Sequence, residues 1–145
     1  MEDEIFEVIL SQLDYHLIEK VREMRIVHKP YLSMLQLSLL LDLPDSAVSK
    51  IENMKKRDRY NIRILNKIAK VFQLKSYGEL FPDHIVENDM VRIRLKKRPI
   101  KKGKQLTNND GTVNKVYEVL SIIPLTEKEI VLWNTSKLNY LTIIK

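Results

Sequence analysis

The chain has 145 residues, of which 44% are hydrophobic and 30% charged, and its formal net charge is +6. Such a composition can bury a core, which argues against general disorder, and no run of about 18 apolar residues is present to span a membrane. The absence of cysteine excludes disulfides and zinc sites built on thiolates.

The charges are distributed unevenly along the chain. Residues 1–24 carry seven acidic and two basic side chains, whereas residues 48–70 carry eight basic and two acidic ones. Residues 92–104 carry eight more cations and no acid. Two basic segments favour a polyanionic partner, although cations also serve simply to solvate a surface. The acidic start lacks the form of a signal peptide, so we expect a cytoplasmic location.

Apolar residues of the first segment recur at helical spacing. The series from Ile5 to Met24 has the steps of three and four that mark the apolar face of an amphipathic helix. It predicts one long helix, or two helices if Asp14 caps the second. Residues 1–13 exceed what one small domain needs, and we predict that they form a helical extension. This extension would pack against a second subunit or fold back onto its own core.

The central segment predicts two short helices joined by a tight turn. In "SMLQ", Ser33 can accept from the third helical N–H while Gln36 reaches back to the Ser33 N–H, which is a capping box. The stretch "DLPD" is typical of a turn, and a third helix is predicted from about Asp45 to Met54. Val48 and Ile51 lie one turn apart there and should face inward. The side chains that then point outward are Ser46, Ser49, Lys50 and Asn53.

Two further helices complete a predicted five-helix bundle. Asn61 can cap the fourth helix. The stretch "SYGE" pairs Ser76 with Glu79 at the start of a last short helix, which ends at Pro82. We assign the whole bundle to a helix-turn-helix domain of residues 1–84.

The composition changes after this bundle, and the remaining chain predicts a small strand-rich unit. The stretch "MVRIRLKK" alternates apolar and basic residues, as in a half-buried strand with a basic outer face. "VYEVLSIIP" predicts a second strand, "TEKE" opens one short helix through Trp133, and "YLTII" predicts a terminal strand. A cationic, turn-rich loop, "KRPIKKGKQLTNNDG", joins the first two strands. The predicted fold class is therefore α+β, with the five-helix bundle followed by an α+β unit of residues 85–145 that serves dimerisation or sensing.

Residues 14–82 resemble the phage-repressor-like, or Xre-type, helix-turn-helix DNA-binding family. The stretches that carry the resemblance are "IEKVREMR", "LSMLQLSLLLDLPDSAVSKIEN", "NIRILNKIAKVFQL" and "YGELF". The pattern is fairly specific, because "VSKIEN" follows the capped helix at the family's distance and the "KIAKVF" helix comes after it. The resemblance implies that the third helix enters the major groove of DNA and that the protein is a dimer. We recognise no family resemblance in the C-terminal unit.

The resemblance also implies roles for individual residues. Glu52 matches the family's buried acid, which pairs with the arginine at the position of Arg25. Such a pair is structural, because an unpaired buried charge is costly. Base edges would be read by Asp45, Ser46, Ser49 and Lys50. Phosphates would be held by Ser33, Asn53, Lys55, Lys56, Arg57 and Arg59.

Several residues depart from the family's pattern. Met34 stands where an amide usually contacts phosphate, and methionine cannot donate that hydrogen bond. Pro44 has no N–H to offer a phosphate, and Asp45 is repelled by the DNA backbone although it can accept from cytosine N4. Asp42 replaces the usual glycine of the turn, where φ is often positive. Ser38 replaces a small alanine at the helix crossing, and its hydroxyl needs a partner.

Patterns typical of catalysis and metal binding are absent from the sequence. His16, His28 and His84 lack the spacing of metal ligands, and three glycines cannot build a loop that cradles phosphate. No nucleophile elbow occurs either. We therefore expect no enzymatic activity, no metal and no cofactor.

The basic strand leaves three interpretations open. It would lie along DNA beside the third helix, keep a sheet edge soluble, or bind an acidic partner such as the first 24 residues of another subunit. The residues of this possible second basic surface are Arg92, Arg94, Lys96 and Lys97.

The preferred hypothesis is sequence-specific binding of double-stranded DNA by a dimeric transcriptional regulator. The alternative is a protein-interaction module, antitoxin-like or an adaptor, which keeps the helix-turn-helix fold without reading bases. Met34, Pro44 and Asp45 favour this alternative. A third hypothesis is RNA binding through the basic strand and the loop that follows it.

Overall fold

The computed structural model describes residues 4–98, 106–107 and 110–145, and the chain divides into two compact units. Met1–Gln12 and Glu87–Lys145 make up the sheet unit, and Leu13–Val86 make up the helical unit. The cationic loop predicted between the two long C-terminal strands lies largely outside the described residues. Within the described ranges, no helix is long and apolar enough to cross a membrane.

Helices and strands follow one another in an order that differs from the predicted one. In chain order they are β1 (Ile5–Ser11), α1 (Gln12–Val27), α2 (Met34–Leu40), α3 (Ala47–Glu52), α4 (Ile62–Val71), a one-turn 3-10 helix (Tyr77–Glu79), β2 (Met90–Lys97), β3 (Tyr117–Pro124), α5 (Glu127–Asn134) and β4 (Leu141–Ile143). The first strand precedes every helix, so strands flank the helical segment on both sides in the sequence.

The sheet unit contains one antiparallel sheet with the strand order β3-β2-β1-β4. β1 and β2 are its internal strands, with Phe6 opposite Leu95 and Val8 opposite Ile93. All four of these side chains are fully buried. β2 alternates buried apolar residues with more exposed basic ones, as its sequence predicts. The predicted strands at β3 and β4 are present, and so is the predicted helix α5 with its capping box at Thr126.

The prediction of a five-helix bundle followed by a strand-rich unit is wrong, because the first segment is a strand. Ile5–Ser11 form β1, where apolar spacing predicts a helical extension over residues 1–13. Phe6 and Val8 are buried on one face of the sheet, and Ile9 is buried on the other. A strand buried on both faces carries a nearly continuous apolar run, which periodicity alone cannot distinguish from the stripe of a helix.

The helical unit contains α1 to α4 and the 3-10 helix, and its local signals agree with the sequence. Ser33 caps α2 in a capping box with Gln36, Asn61 caps α4, and Asp42 has a φ of 56° in the turn after α2. The predicted fifth helix is reduced to the single turn of 3-10 helix. The largest fully buried side chains of this unit are Ile18, Leu37, Leu41, Met54, Ile68, Leu80, Val21 and Val48.

Truncation of Phe6 should destabilise the protein strongly. Phe6 is fully buried, and its ring packs edge-on against Tyr117 at a centroid distance of 5.6 Å. Phe6→Ala leaves a cavity, so we expect the free energy of unfolding in urea to fall by about 3–5 kcal/mol. Ile143→Ala on β4, where the side chain is 58% exposed, should change it by only about 0.5 kcal/mol. Small and equal losses for both variants would contradict the assignment of Phe6 to a buried strand.

Candidate nucleic-acid interface

The helix predicted to read DNA, α3, is short and is held by its buried face. It spans Ala47–Glu52, and the side chains of Val48 and Ile51 are 0% and 4% exposed. A helix of six residues is not stable alone in water, so its position depends on tertiary contacts. These contacts therefore determine which side chains on the opposite face of α3 are exposed to solvent.

Ser38 supplies a polar contact between α2 and α3. Its hydroxyl is fully buried, donates to the Met34 carbonyl oxygen at 2.9 Å and accepts from the Val48 N–H at 3.0 Å. The Val48 N–H belongs to the first turn of α3, where a helix provides no carbonyl partner for it. The serine at this crossing therefore satisfies its own hydroxyl and one orphan donor of the next helix.

A buried ion pair joins the last turn of α1 to the end of α3. Arg25 donates to Glu52 twice, from Nε to Oε2 at 2.9 Å and from Nη2 to Oε1 at 2.7 Å. Its Nη1 also donates to the Leu32 carbonyl oxygen at 2.9 Å, which holds the loop before α2. Burial lowers the pKa of Arg25, but the hydrogen bonds and charge of Glu52 outweigh burial and raise the pKa above its usual value. The sequence did not point to Arg22, one turn earlier, whose Nε lies 4.0 Å from Glu52 Oε1.

The residues assigned to base readout lie before α3 and on its outer side. Lys50 is exposed in the last turn, and Ser46 is exposed at the N-cap, where its side chain makes no capping hydrogen bond. Asp45 is exposed in the preceding turn. Ser49 is half-buried, and its hydroxyl donates to the Ser46 carbonyl oxygen at 3.0 Å. Three of the four side chains are therefore well placed to meet a ligand, and Ser49 is less accessible.

The cations that follow α3 lie in a loop tied to its own backbone. Asn53 Oδ1 accepts from the Lys55 N–H at 3.0 Å, and Arg59 Nη1 donates to the Lys56 carbonyl oxygen at 3.2 Å. Lys56 and Arg57 are exposed, whereas Lys55 and Arg59, like Asn53, are half-buried. A loop stiffened in this way holds positive charge next to the C-terminal end of α3.

The start of α2 offers a phosphate one hydroxyl. Ser33 Oγ accepts from the Gln36 N–H at 3.0 Å, which leaves its own hydrogen able to donate outward. Met34 is 39% exposed and Pro44 is also exposed, and neither side chain carries a donor. Both residues at which the sequence departs from the pattern of the resembled family thus lie at the surface.

One cation of the basic segment 48–70 has a structural contact. Lys67 Nζ donates to the Leu41 carbonyl oxygen at 3.1 Å, and Leu41 is the C-cap of α2. A cation at this end complements the negative end of the helix dipole and ties α4 to the turn before α3. Nothing in the local spacing distinguishes Lys67 from the neighbouring cations, so the sequence could not single it out.

The predicted second basic surface is partly neutralised within the sheet unit. Arg94 lies opposite Glu7, and its Nη2 and Nε lie 2.8 and 2.9 Å from Glu7 Oε2. Arg92 Nη2 lies 2.9 Å from Glu129 Oε2 on α5. Because β2 is an internal strand, protection of a sheet edge does not explain its basic residues. The other members of this surface are Lys96, which is half-buried, and Lys97, which is exposed.

Neither metal chemistry nor similarity to known proteins adds to this picture. Among the described residues, no group of three acidic, histidine or cysteine side chains could hold a metal ion. Comparison with protein-family models, with curated proteins and with solved structures finds no match to the chain.

Loss of the Glu52 carboxylate should destabilise the helical unit. Glu52→Gln leaves the buried Arg25 guanidinium without its counter-charge, and removal of one partner of a buried pair costs about 3–5 kcal/mol. We expect a loss of that size in urea unfolding followed by circular dichroism. Glu23→Gln, at an exposed position of α1, is the matched control and should change stability by only about 0.5 kcal/mol. If both variants unfold at the same urea concentration, the pair does not stabilise the fold.

We expect Tyr60 to make the stability of the fold sensitive to high pH. Its side chain is 5% exposed, and its hydroxyl has no hydrogen-bond partner among the described residues. Burial, followed by the charge of Glu52, raises the pKa of this phenol above its ordinary value of 10.0. The unfolded chain releases the proton near that ordinary value while the folded chain keeps it, so stability is complete below about pH 10 and falls above it.

Replacement of this tyrosine should therefore increase resistance to alkali. Tyr60→Phe should leave the melting temperature at pH 7 unchanged or slightly raised, because no hydrogen bond is lost. It should also reduce the fall in melting temperature between about pH 9 and 11. Tyr77→Phe, at a 58% exposed position, should not alter that fall. A large loss of stability at pH 7 for Tyr60→Phe would mean that the hydroxyl has a partner after all.

Proposed function

We propose that this protein binds double-stranded DNA in a sequence-specific manner and acts as a transcriptional regulator, with α3 reading the major groove. The supporting observation is the orientation of α3, whose apolar face is buried while Lys50 and Ser46 face solvent. An α-helix fits the major groove, where a lysine can donate to guanine O6 and N7. Asp45, in the turn before the helix, would accept from cytosine N4.

Phosphate contacts would come from the loop after α3 and from the start of α2. Lys56 and Arg57 are exposed directly after the helix, and Ser33 has a hydroxyl hydrogen to donate. Contacts of this kind contribute affinity that falls with salt and carries no sequence information. Asn53 and Arg59 would contribute chiefly by holding the loop that carries the exposed cations.

The proposed regulator is a cytoplasmic homodimer, as the helix-turn-helix resemblance over residues 14–82 implies. In such a dimer the two copies of α3 would lie about one turn of DNA apart and read two half-sites, which lengthens the recognised sequence. The sheet unit would serve dimerisation or sensing. No enzymatic step, metal or cofactor forms part of the proposal.

A second candidate function is a protein-interaction module that keeps the fold without reading bases. It is supported by α2, a seven-residue helix without a charged side chain. Leu35, Leu39 and Leu40 are 48%, 59% and 55% exposed on this helix. Clustered exposed apolar side chains commonly mark a contact with another protein.

Titration of random-sequence duplex DNA at about 50 and 200 mM salt separates the two candidates. A DNA-binding protein that uses several cations should retard the duplex at the lower salt concentration and lose affinity steeply at the higher one. Absence of retardation at the lower concentration would rule out the DNA-binding proposal and favour the interaction module. Single-stranded RNA serves as the competitor, and stronger competition by RNA than by duplex DNA would also contradict the proposal.

Substitution of Lys50 should change base preference, whereas substitution of Lys56 should not. On duplexes selected from a random pool, Lys50→Ala should cost about 1–3 kcal/mol at one base pair and relax the preference there. Lys56→Ala is the matched control, and it should weaken binding to all duplexes alike and reduce the salt slope by about one. A uniform loss on every duplex after Lys50→Ala would argue against direct readout.

A further inference from the structure

An apolar groove borders α4 in the helical unit. It has a volume of about 760 Å³, and its apolar lining comes from Ile62 and Leu65 of α4 and from Tyr77 and Phe81 of the segment that follows. Cavities of this size are typical of binding sites. Ile62 is 85% exposed and Tyr77 is 58% exposed, so two large apolar side chains face solvent at one place.

The lining of the groove is held in position by contacts within the unit. The Tyr77 hydroxyl donates to Asn66 Oδ1 at 2.6 Å, which fixes the ring against α4. Leu65 is only 8% exposed and anchors the helix in the core. A surface that is already ordered loses little conformational entropy when a ligand binds.

Three cations line this groove, and none of the described acidic side chains does. Arg63, Lys67 and Lys70 follow one another at spacings of four and three residues, which places them on one side of α4. Lys67 is engaged with the Leu41 carbonyl oxygen. Arg63 and Lys70 are exposed and form no ion pair within the described part of the chain. These two lie two helical turns apart, or roughly 10 Å along the axis.

We propose that this groove binds an acidic amphipathic segment of a partner protein. Apolar side chains of the segment would cover Ile62 and Tyr77, and carboxylates two helical turns apart would pair with Arg63 and Lys70. Charge complementarity selects an acidic segment. The exposed apolar area supplies the burial that a purely ionic contact lacks.

Other occupants fit this groove less well. A nucleic acid would use the cations but would leave the apolar lining in water. A small carboxylate would satisfy one cation and leave the other, roughly 10 Å away, unpaired. A second copy of the chain docked through the same face would bring Arg63 and Lys70 of one copy close to the same two cations of the other copy, and like charges repel.

The test selects displayed random peptides of about 16 residues, or roughly four helical turns, on the full chain. Enriched peptides should be acidic and apolar with helical spacing, and a fluorescent synthetic copy should bind with a Kd in the micromolar range in anisotropy titrations. Ile62→Ser and Lys70→Glu should each weaken this binding by about tenfold or more. The matched controls are Ile85→Ser, at a 93% exposed position outside the groove, and Lys75→Glu, also exposed and outside it. Both should bind as the unmodified chain does.

Circular dichroism and thermal unfolding are the controls that all four variants must pass as folded proteins. Failure to enrich acidic amphipathic peptides would overturn the proposal, and so would peptides whose binding is unchanged in both Ile62→Ser and Lys70→Glu. Displacement of the bound peptide by random duplex DNA at equal charge concentration would assign the site to nucleic acid instead. The direct anisotropy titrations of the peptide contain no DNA. They therefore test the groove independently of the DNA-binding proposal, and either proposal can fail without the other.

Discussion

The arrangement of the helical unit depends on one buried charge pair, Arg25 with Glu52. Arg25 stands in the last turn of α1 and Glu52 ends α3, so the pair joins two elements that are distant in the sequence. Burial removes both charges from water, which costs desolvation free energy. The two hydrogen bonds between Arg25 and Glu52 and the third to the Leu32 carbonyl oxygen offset this cost. Hydrogen bonds of this geometry tolerate little displacement. The six-residue helix is therefore restricted in position, and so are the side chains on its outer face.

The exposed side chains of the helical unit differ in polarity and charge from one helix to the next. The outer side of α3 and the loop after it are polar and cationic, and Lys50 is the exposed charged residue of the helix. The outer side of α2 is apolar, as the 59% exposure of Leu39 illustrates. α4 combines the two, because Ile62 is exposed beside Arg63. The residues proposed to contact DNA and the residues that line the groove beside α4 do not overlap, so the two proposals concern different side chains of this unit.

Much of the local structure follows from short-range signals in the sequence. The capping box of Ser33 and Gln36, the cap at Asn61, the positive φ at Asp42 and the alternation in β2 all depend on residues within a few positions of one another. The wrong prediction concerns β1, whose pairing partners in β2 lie between 79 and 91 positions away, from Ser11 with Met90 to Ile5 with Lys96. No window of ten or twenty residues contains the neighbour that makes this segment a strand. Its acidic Glu7 likewise finds Arg94 across the sheet, which a charge count over residues 1–24 cannot foresee.

For the candidate site, residue types and spacing suffice to identify the inward positions Val48 and Ile51 and, through resemblance, the pairing of Arg25 with Glu52. Spacing places Lys67 in the same basic segment as Lys50, but three-dimensional packing turns the first toward a helix end and leaves the second exposed. The same holds for the groove beside α4, whose lining combines residues of two elements. Local patterns thus specify which residues prefer to be buried or capped, because those preferences act over one or two helical turns. Which charges are neutralised and which apolar side chains remain in water depends on contacts between elements far apart in the chain, and these exist only in the folded structure.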